Sequence, residues 1–159
     1  MLSLFEKWYK LYAPVSGTLV PLEEVPDQVF ATKIAGDGIA IEAEGELIVA
    51  PASGKLSSVF STNHAFGMTL DNGMEILVHV GLDTVTLNGD GFERIAIEGT
   101  LLRAGDPVLK IDRKTILSKG ISLITPVIIT NVNQVAELRL ETNSSVQAGN
   151  SVLMRYRLN

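Results

Sequence analysis

The chain has 159 residues, two histidines and no cysteine. That length suits one domain with a sizeable single core. The missing cysteines exclude disulfide scaffolds, thiolate metal sites and cysteine nucleophiles, and two histidines exclude any site built from three. A hydrophobic fraction of 46% with 19% charged residues describes a packed chain, and a net charge of −5 argues against nucleic acid as a partner, because phosphate binding needs a basic face.

Residues 1–11 read as a separate N-terminal segment. They lack an unbroken apolar core and a small-residue cleavage site, so they are not expected to be a signal peptide. Leu2, Phe5, Trp8 or Tyr9, and Tyr12 recur at helical spacing beside Lys7 and Lys10. The spacing predicts a short amphipathic helix, a candidate for peripheral membrane contact, with packing on the chain's own domain as the competing outcome. The most apolar stretch, 121–130, is interrupted by Ser122, Thr125 and Pro126 and is too short to span a bilayer. A cytoplasmic location is expected.

From residue 12 to 159 the chain reads as one domain of strands and turns. Asp37-Gly38, Asp71-Asn72-Gly73, Asn88-Gly89-Asp90-Gly91 and Ala104-Gly105-Asp106 are turn signals. They separate strand-length runs at 39–42, 46–49, 74–80, 107–111 and 151–156. Turn signals about every ten residues predict an all-β sandwich or barrel. The one other helical segment is Arg113 to Gly120, with Asp112 as N-cap. Ala13-Pro-Val-Ser-Gly-Thr-Leu returns as Ala50-Pro-Ala-Ser-Gly-Lys-Leu, and Leu102-Arg-Ala-Gly-Asp-Pro-Val-Leu returns as Val146-Gln-Ala-Gly-Asn-Ser-Val-Leu. The two repeats together suggest internal pseudo-symmetry, with each proline opening a strand and each A-P-x-S-G glycine allowing a tight turn.

The histidines are the chemistry-bearing residues. On a strand, His79 shares a face with Leu77 and Glu75, opposite Ile76, Val78 and Val80. A turn centred near Asn72 makes the two histidine segments an antiparallel hairpin with position 64 opposite about 80, bringing the imidazoles side by side. Two adjacent imidazoles serve a metal site, a phosphoryl-transfer nucleophile or simple structure. A neutral imidazole has a free nitrogen to attack phosphorus near neutral pH, and a neighbour can hydrogen-bond the phosphoryl oxygens. Gly81 lets a backbone carbonyl approach the other nitrogen of His79, and Thr62 is placed to orient His64. Other constellations are weaker. Ser57, Ser58 or Ser61 with His79 and Asp83 lacks a nucleophile elbow. Asp37-Gly38 lacks the rest of a calcium or dinucleotide loop, and Glu42, Glu44 and Glu46 read as a solvated face.

Six strings occur in order: V-P-D-Q-V-F, G-D-G-I-A-I, A-P-A-S-G-K-L, F-S-T-N-H-A-F-G, E-I-L-V-H-V-G-L-D-T-V and G-F-E-R-I. Together they resemble the glucose-type enzyme IIA family, phosphocarriers of the bacterial sugar phosphotransferase system, from about Tyr12 to Tyr156. The resemblance implies an antiparallel β-sandwich or flattened barrel with Greek-key or jelly-roll elements and at most short helices. It implies that His79 carries the phosphoryl group on Nε2 and that His64 is the neighbouring active-site histidine. Thr62 then supplies the hydroxyl that orients His64, Gly81 the carbonyl that holds Nδ1 of His79, and Asp83 an adjacent carboxylate.

The resemblance further implies a monomer without a cofactor. Its donor would be the histidine phosphocarrier HPr, and its acceptor a cysteine on the IIB domain of a sugar permease. Val29, Phe30, Ile34, Phe60, Phe66 and Leu77 are the matching apolar residues for a docking surface, rimmed by acidic groups. His64 and His79 would be zinc ligands only where a partner completes the site. Two other classes compete. A lysostaphin-like zinc endopeptidase needs a His-x-His pair with a further histidine, and Val78-His79-Val80 does not supply it. A biotinyl or lipoyl carrier needs a hairpin lysine, whereas Lys55 and Lys110 fall inside strand patterns.

Overall fold

A computed structural model describes residues 6–159. In chain order the strands are β1 (Tyr9–Tyr12), β2 (Gly17–Pro21), β3 (Asp37–Ala43), β4 (Leu47–Val49), β5 (Gly54–Val59), β6 (Ala65–Leu70), β7 (Glu75–His79), β8 (Phe92–Arg94), β9 (Leu101–Leu102), β10 (Pro107–Ile111), β11 (Ile124–Ile129), β12 (Val135–Leu140), β13 (Ser145–Val146) and β14 (Val152–Leu158). Among the described residues, two short helices, α1 (Gln28–Ala31) and α2 (Arg113–Ser118), and three single 3₁₀ turns interrupt them. The strands form an eight-stranded sheet, β13-β2-β3-β11-β7-β6-β5-β9, and two three-stranded sheets, β1-β14-β12 and β4-β10-β8. Every strand pairing is antiparallel. The all-β reading of the sequence is borne out.

One apolar core fills the space between the sheets, built from inward residues such as Leu11, Ile41, Ile48, Leu56, Phe66, Met68, Ile76, Val78 and Tyr156. A smaller cluster lies on the other face of the central strands: Leu22, Val25 and Phe30 pack against Ala40, Leu82 and Ile128, with Leu77 at the margin. The segment around α1 therefore covers the outer face of β3, β11 and β7. This is why Ile39-Ala40-Ile41 and Val127-Ile128-Ile129 are apolar on both faces rather than alternating.

The β6–β7 hairpin has the register that its turn dictates: Ala65 lies opposite His79, and the Val80 amide donates to the His64 carbonyl at 2.7 Å. Its turn is tied to the small sheet. The Asn72 side chain accepts from the Met74 amide at 3.1 Å and donates to the Tyr156 hydroxyl at 2.8 Å. α2 begins where expected, with the Asp112 carboxylate accepting from the Thr115 amide.

Four local readings change. Tyr9–Tyr12 is a strand, not the end of a helix: Tyr9 stacks on Tyr156 at 5.4 Å and Leu11 is fully buried, so cross-strand packing overrides the helical spacing. Leu2 and Phe5, on which the amphipathic reading also rested, lie outside the described residues. Asp37-Gly38 opens β3 instead of forming a turn. α1 was not anticipated; its N-cap is Asp27, whose carboxylate accepts from the Val29 amide at 2.9 Å.

The fourth change concerns the repeats. Gly17 and Gly54 are first residues of strands, and each is needed for a close cross-strand approach rather than a turn: a Cβ on Gly17 would stand 2.0 Å from the Glu42 carbonyl oxygen, and one on Gly54 2.7 Å from that of Thr69. The two A-P-x-S-G units meet reciprocally, Tyr12 N–H donating to Pro51 O and Val49 N–H to Pro14 O. The second repeat pair caps the first, with Gly105 N–H on Ala50 O and Gly149 N–H on Ala13 O. Pseudo-symmetry in the sequence thus corresponds to paired halves in the fold. Gly17→Ala is expected to lose about 3 kcal/mol of stability, because backbone must move. Gly73→Ala, with open space around the added methyl but φ at +88°, should lose only about 1 kcal/mol. Urea denaturation of the two variants checks the ranking.

Candidate active site

His79 is the last residue of β7 and projects from the outer face of the eight-stranded sheet with Leu77 and Glu75, while Ile76, Val78 and Val80 are buried beneath. The chain then turns at Gly81, whose φ of +76° sends its carbonyl back toward the ring. His79 Nδ1 lies 2.8 Å from that oxygen. A carbonyl only accepts, so Nδ1 carries the proton and Nε2 keeps its lone pair free. A side chain at 81 would meet the Ser122 carbonyl and the Thr84 methyl at 2.6 Å, so glycine is required here on two counts.

The turn itself is held from below by two fully buried hydroxyls. Thr84 Oγ1 donates to Val80 O at 2.7 Å, and Thr125 Oγ1 donates to Leu123 O at 3.0 Å while accepting from the Gly81 amide at 3.4 Å. The hydroxyl hydrogen of Thr125 is thus already used, which leaves a lone pair toward Gly81.

His64 arrives from the loop between β5 and β6. Strict alternation along the hairpin would put residue 64 on the face of its partner Val80, away from His79. The ladder begins only at Ala65, and Asn63 adopts a left-handed conformation, φ +59°. This brings the His64 ring to the side of His79, with ring centroids 5.0 Å apart and planes near perpendicular. His64 is 3% exposed. Its Nδ1 sits 2.6 Å from Thr62 Oγ1, leaving Nε2 as its free nitrogen. Phe60 stands edge-on to His64 at 5.3 Å and Phe30 tilts against His79 at the same distance, so two aromatics bracket the pair.

Burial pushes the pKa of both imidazoles below the ordinary histidine value of 6.5. For His64 the neighbouring His79 pushes it further down. For His79 the Gly81 carbonyl and the carboxylates of Asp27 and Asp83 oppose the shift. Both rings are therefore neutral at neutral pH, the form in which an imidazole is a nucleophile.

Residues 9–135 match the family described as phosphoenolpyruvate-dependent sugar phosphotransferase system, EIIA 1. The chain belongs to this EIIA family. It is 43% identical over 148 residues to the glucose-specific EIIA component of Haemophilus influenzae, covering 93% of this chain and 89% of that one. It is 43% identical over 147 residues to the N-acetylglucosamine-specific EIICBA component of Klebsiella pneumoniae, covering 92% of this chain but 23% of that longer protein. Glucose permease IIA from Mycoplasma capricolum superimposes with a TM-score of 0.89 at 38% identity, covering 97% of this chain and 99% of the other. This EIIA is accordingly a phosphocarrier of the sugar phosphotransferase system. Neither the zinc endopeptidase nor the biotinyl or lipoyl carrier is supported by these matches.

In this EIIA the histidine pair, Thr62 and Gly81 lie together, with the exposed Asp83 close enough to act on His79. It adds Asp27, whose carboxylate also reaches His79 electrostatically, and which only the unforeseen helix α1 brings there. Among the apolar candidates, Val29, Ile34 and Phe60 are exposed at 51%, 80% and 42%. Leu77 is partly buried and Phe30, at 5%, is spent on the small cluster and on His79. Phe66 is a correction: it is fully buried in the main core, since it faces inward opposite Val78, and belongs to no surface. Val85, 53% exposed just beyond Asp83, was missed, because a single valine in a turn carries no signal of its surroundings. Among the described residues, no cluster of three or more His, Cys, Asp or Glu is placed to hold a metal ion. The two free Nε2 atoms would fill at most half of a tetrahedral zinc shell, the rest coming from another molecule.

Two outcomes follow from this geometry. Phe66→Ala should cost about 3–5 kcal/mol of stability, whereas Phe60→Ala should cost about 1 kcal/mol or less, as expected of a surface change; thermal unfolding separates them. Because the folded state resists protonating both histidines, the unfolded chain binds more protons below pH 6.5, and stability falls as pH drops from there. A His64→Gln, His79→Gln double variant should show a shallower fall over that window in denaturation midpoints measured from pH 7.5 to 5.

Proposed function

We propose that this EIIA accepts a phosphoryl group from phosphorylated HPr on Nε2 of His79 and passes it to a cysteine thiolate of the IIB domain of a sugar permease. The observation that carries the assignment is the Gly81 carbonyl on Nδ1 of His79, which leaves Nε2 as the one nucleophilic nitrogen of that ring. In the first step the Nε2–P bond forms as the donor's N–P bond breaks and its electron pair returns to the donor nitrogen, while the proton stays on Nδ1, hydrogen-bonded to the Gly81 carbonyl. In the second, the thiolate forms an S–P bond as Nε2–P breaks, and the lone pair returns to Nε2. No other covalent chemistry falls to the protein; positioning and charge stabilisation do the work.

His64 is the neighbour that meets the charge on the phosphoryl oxygens. That role needs a hydrogen on its Nε2, so the Thr62 hydroxyl donates to Nδ1 across their 2.6 Å contact. Both partners would dock over the shallow surface of Val29, Ile34, Phe60 and Val85, with Asp27 and Asp83 beside the histidines for basic groups on the partner. A relative whose name joins EIIC, EIIB and EIIA in one chain supports the IIB domain as acceptor.

The test is transfer from phosphorylated HPr. His79→Gln should take up no acid-labile phosphate, and persistent labelling of that variant would overturn the assignment. His64→Gln should fold and become labelled, but deliver its phosphoryl group to a IIB domain at least about a hundredfold more slowly, the size expected for losing one oriented donor.

A further inference from the structure

The string G-F-E-R-I, residues 91–95, has no part in the site as described so far. Its arginine nevertheless reaches the loop that carries His64. Arg94 ends β8, in the β4-β10-β8 sheet, and its guanidinium forks across the loop: Nε donates to Asn63 Oδ1 at 2.9 Å and Nη2 donates to the Phe60 carbonyl at 3.3 Å. The loop is closed by two backbone bonds, Phe60 N–H on Ala65 O and Asn63 N–H on Phe60 O. Those bonds set its length. Asn63 between them is left-handed, a conformation that asparagine enters more readily than other non-glycine residues.

We propose that Arg94 is a positioning residue for the histidine pair: its guanidinium fork holds the 60–64 loop so that left-handed Asn63 turns His64 toward His79 and keeps Thr62 on its Nδ1. Without the left-handed step, strand alternation carries residue 64 to the opposite face. With it, the Thr62 hydroxyl and the His64 ring meet at 2.6 Å, and Phe60, whose carbonyl the same guanidinium binds, stands against the ring. One side chain from a separate sheet thus sets a hydrogen-bonding partner, an imidazole orientation and an exposed aromatic. The planar fork is what the geometry needs, since two acceptors at fixed separation suit a guanidinium and not a single ammonium. Glu98 steadies the adjoining strand in a parallel way, its carboxylate accepting from the Val59 amide at 2.7 Å.

This inference rests on the proposed role of His64, so its decisive measurement is made on the unphosphorylated protein. Ring ¹⁵N shifts report the tautomer of each histidine. In the wild type His64 should show a single tautomer protonated on Nε2, and His79 one protonated on Nδ1. Arg94→Met should move the His64 nitrogens toward a two-tautomer average and leave those of His79 unchanged. Arg94→Lys should behave like Arg94→Met, because it keeps the charge and loses the fork. Transfer from phosphorylated protein to a IIB domain should drop about tenfold in both variants. Backbone amide shifts away from 58–66 and from the substituted residue's own neighbours in 92–96 should match the wild type, showing that the fold survives. Unchanged His64 nitrogens in Arg94→Met would overturn the proposal, and so would full recovery of both tautomer and rate in Arg94→Lys. Failure of the phosphocarrier assignment would register separately, as labelling of His79→Gln.

Discussion

The bond on which the site depends is the one from Nδ1 of His79 to the Gly81 carbonyl. It selects the tautomer without any charged group, because a carbonyl has no hydrogen to give. Much of the local structure serves to hold that oxygen still. The positive φ of Gly81 aims it, Thr84 and Thr125 hold the preceding Val80–Gly81 peptide by its carbonyl and its amide, and the Ser122 carbonyl, which accepts from the Leu82 amide at 3.1 Å, closes the turn. Each of these groups is buried or backbone, so the ring is oriented by the least mobile material nearby.

The second histidine is held by a different kind of structure. His79 belongs to a strand and inherits its direction from the sheet, whereas His64 belongs to a loop and is aimed by one left-handed residue with a side-chain clamp. The difference has a physical reason. Two neighbouring hairpin residues that must share a face cannot both obey strand alternation, so one must leave the ladder. Here the ladder stops at Ala65. The surroundings then keep both rings neutral, burial outweighing the carboxylates of Asp27 and Asp83 at His79. The carboxylates moderate that shift and place negative charge where a basic partner would approach.

Much of this was legible in residue order. Glycine-marked turns and β-branched runs located β4, β7, β10 and β14, and the Asp71-Asn72-Gly73 turn set the pairing that places Ala65 opposite His79. Helix α2 was legible from Asp112 and Gly120. The docking surface was less so. Phe30, Phe60 and Phe66 are the same residue type within 37 positions, yet one wedges against His79, one is exposed and one is core. A phenylalanine has no local signal that distinguishes these, because its burial depends on which sheet covers it. Asp27 was invisible for the same reason: a four-residue helix has too little periodicity to be read, and it delivers the carboxylate.

The sequence by itself determined which side chains are the candidates for chemistry. With two histidines and no cysteine, the inventory allowed one imidazole pair, and Gly81 and Thr62 stand two residues from their partners, a spacing short enough for local backbone geometry to enforce. Tertiary structure decided the rest. Whether His64 faces His79 depends on Asn63 and on an arginine from another sheet, and whether Tyr9–Tyr12 is strand or helix depends on Tyr156, near the far end of the chain. Hydrogen bonds across two residues are written in local order. Contacts between sheets are not, because they exist only after the chain has closed on itself.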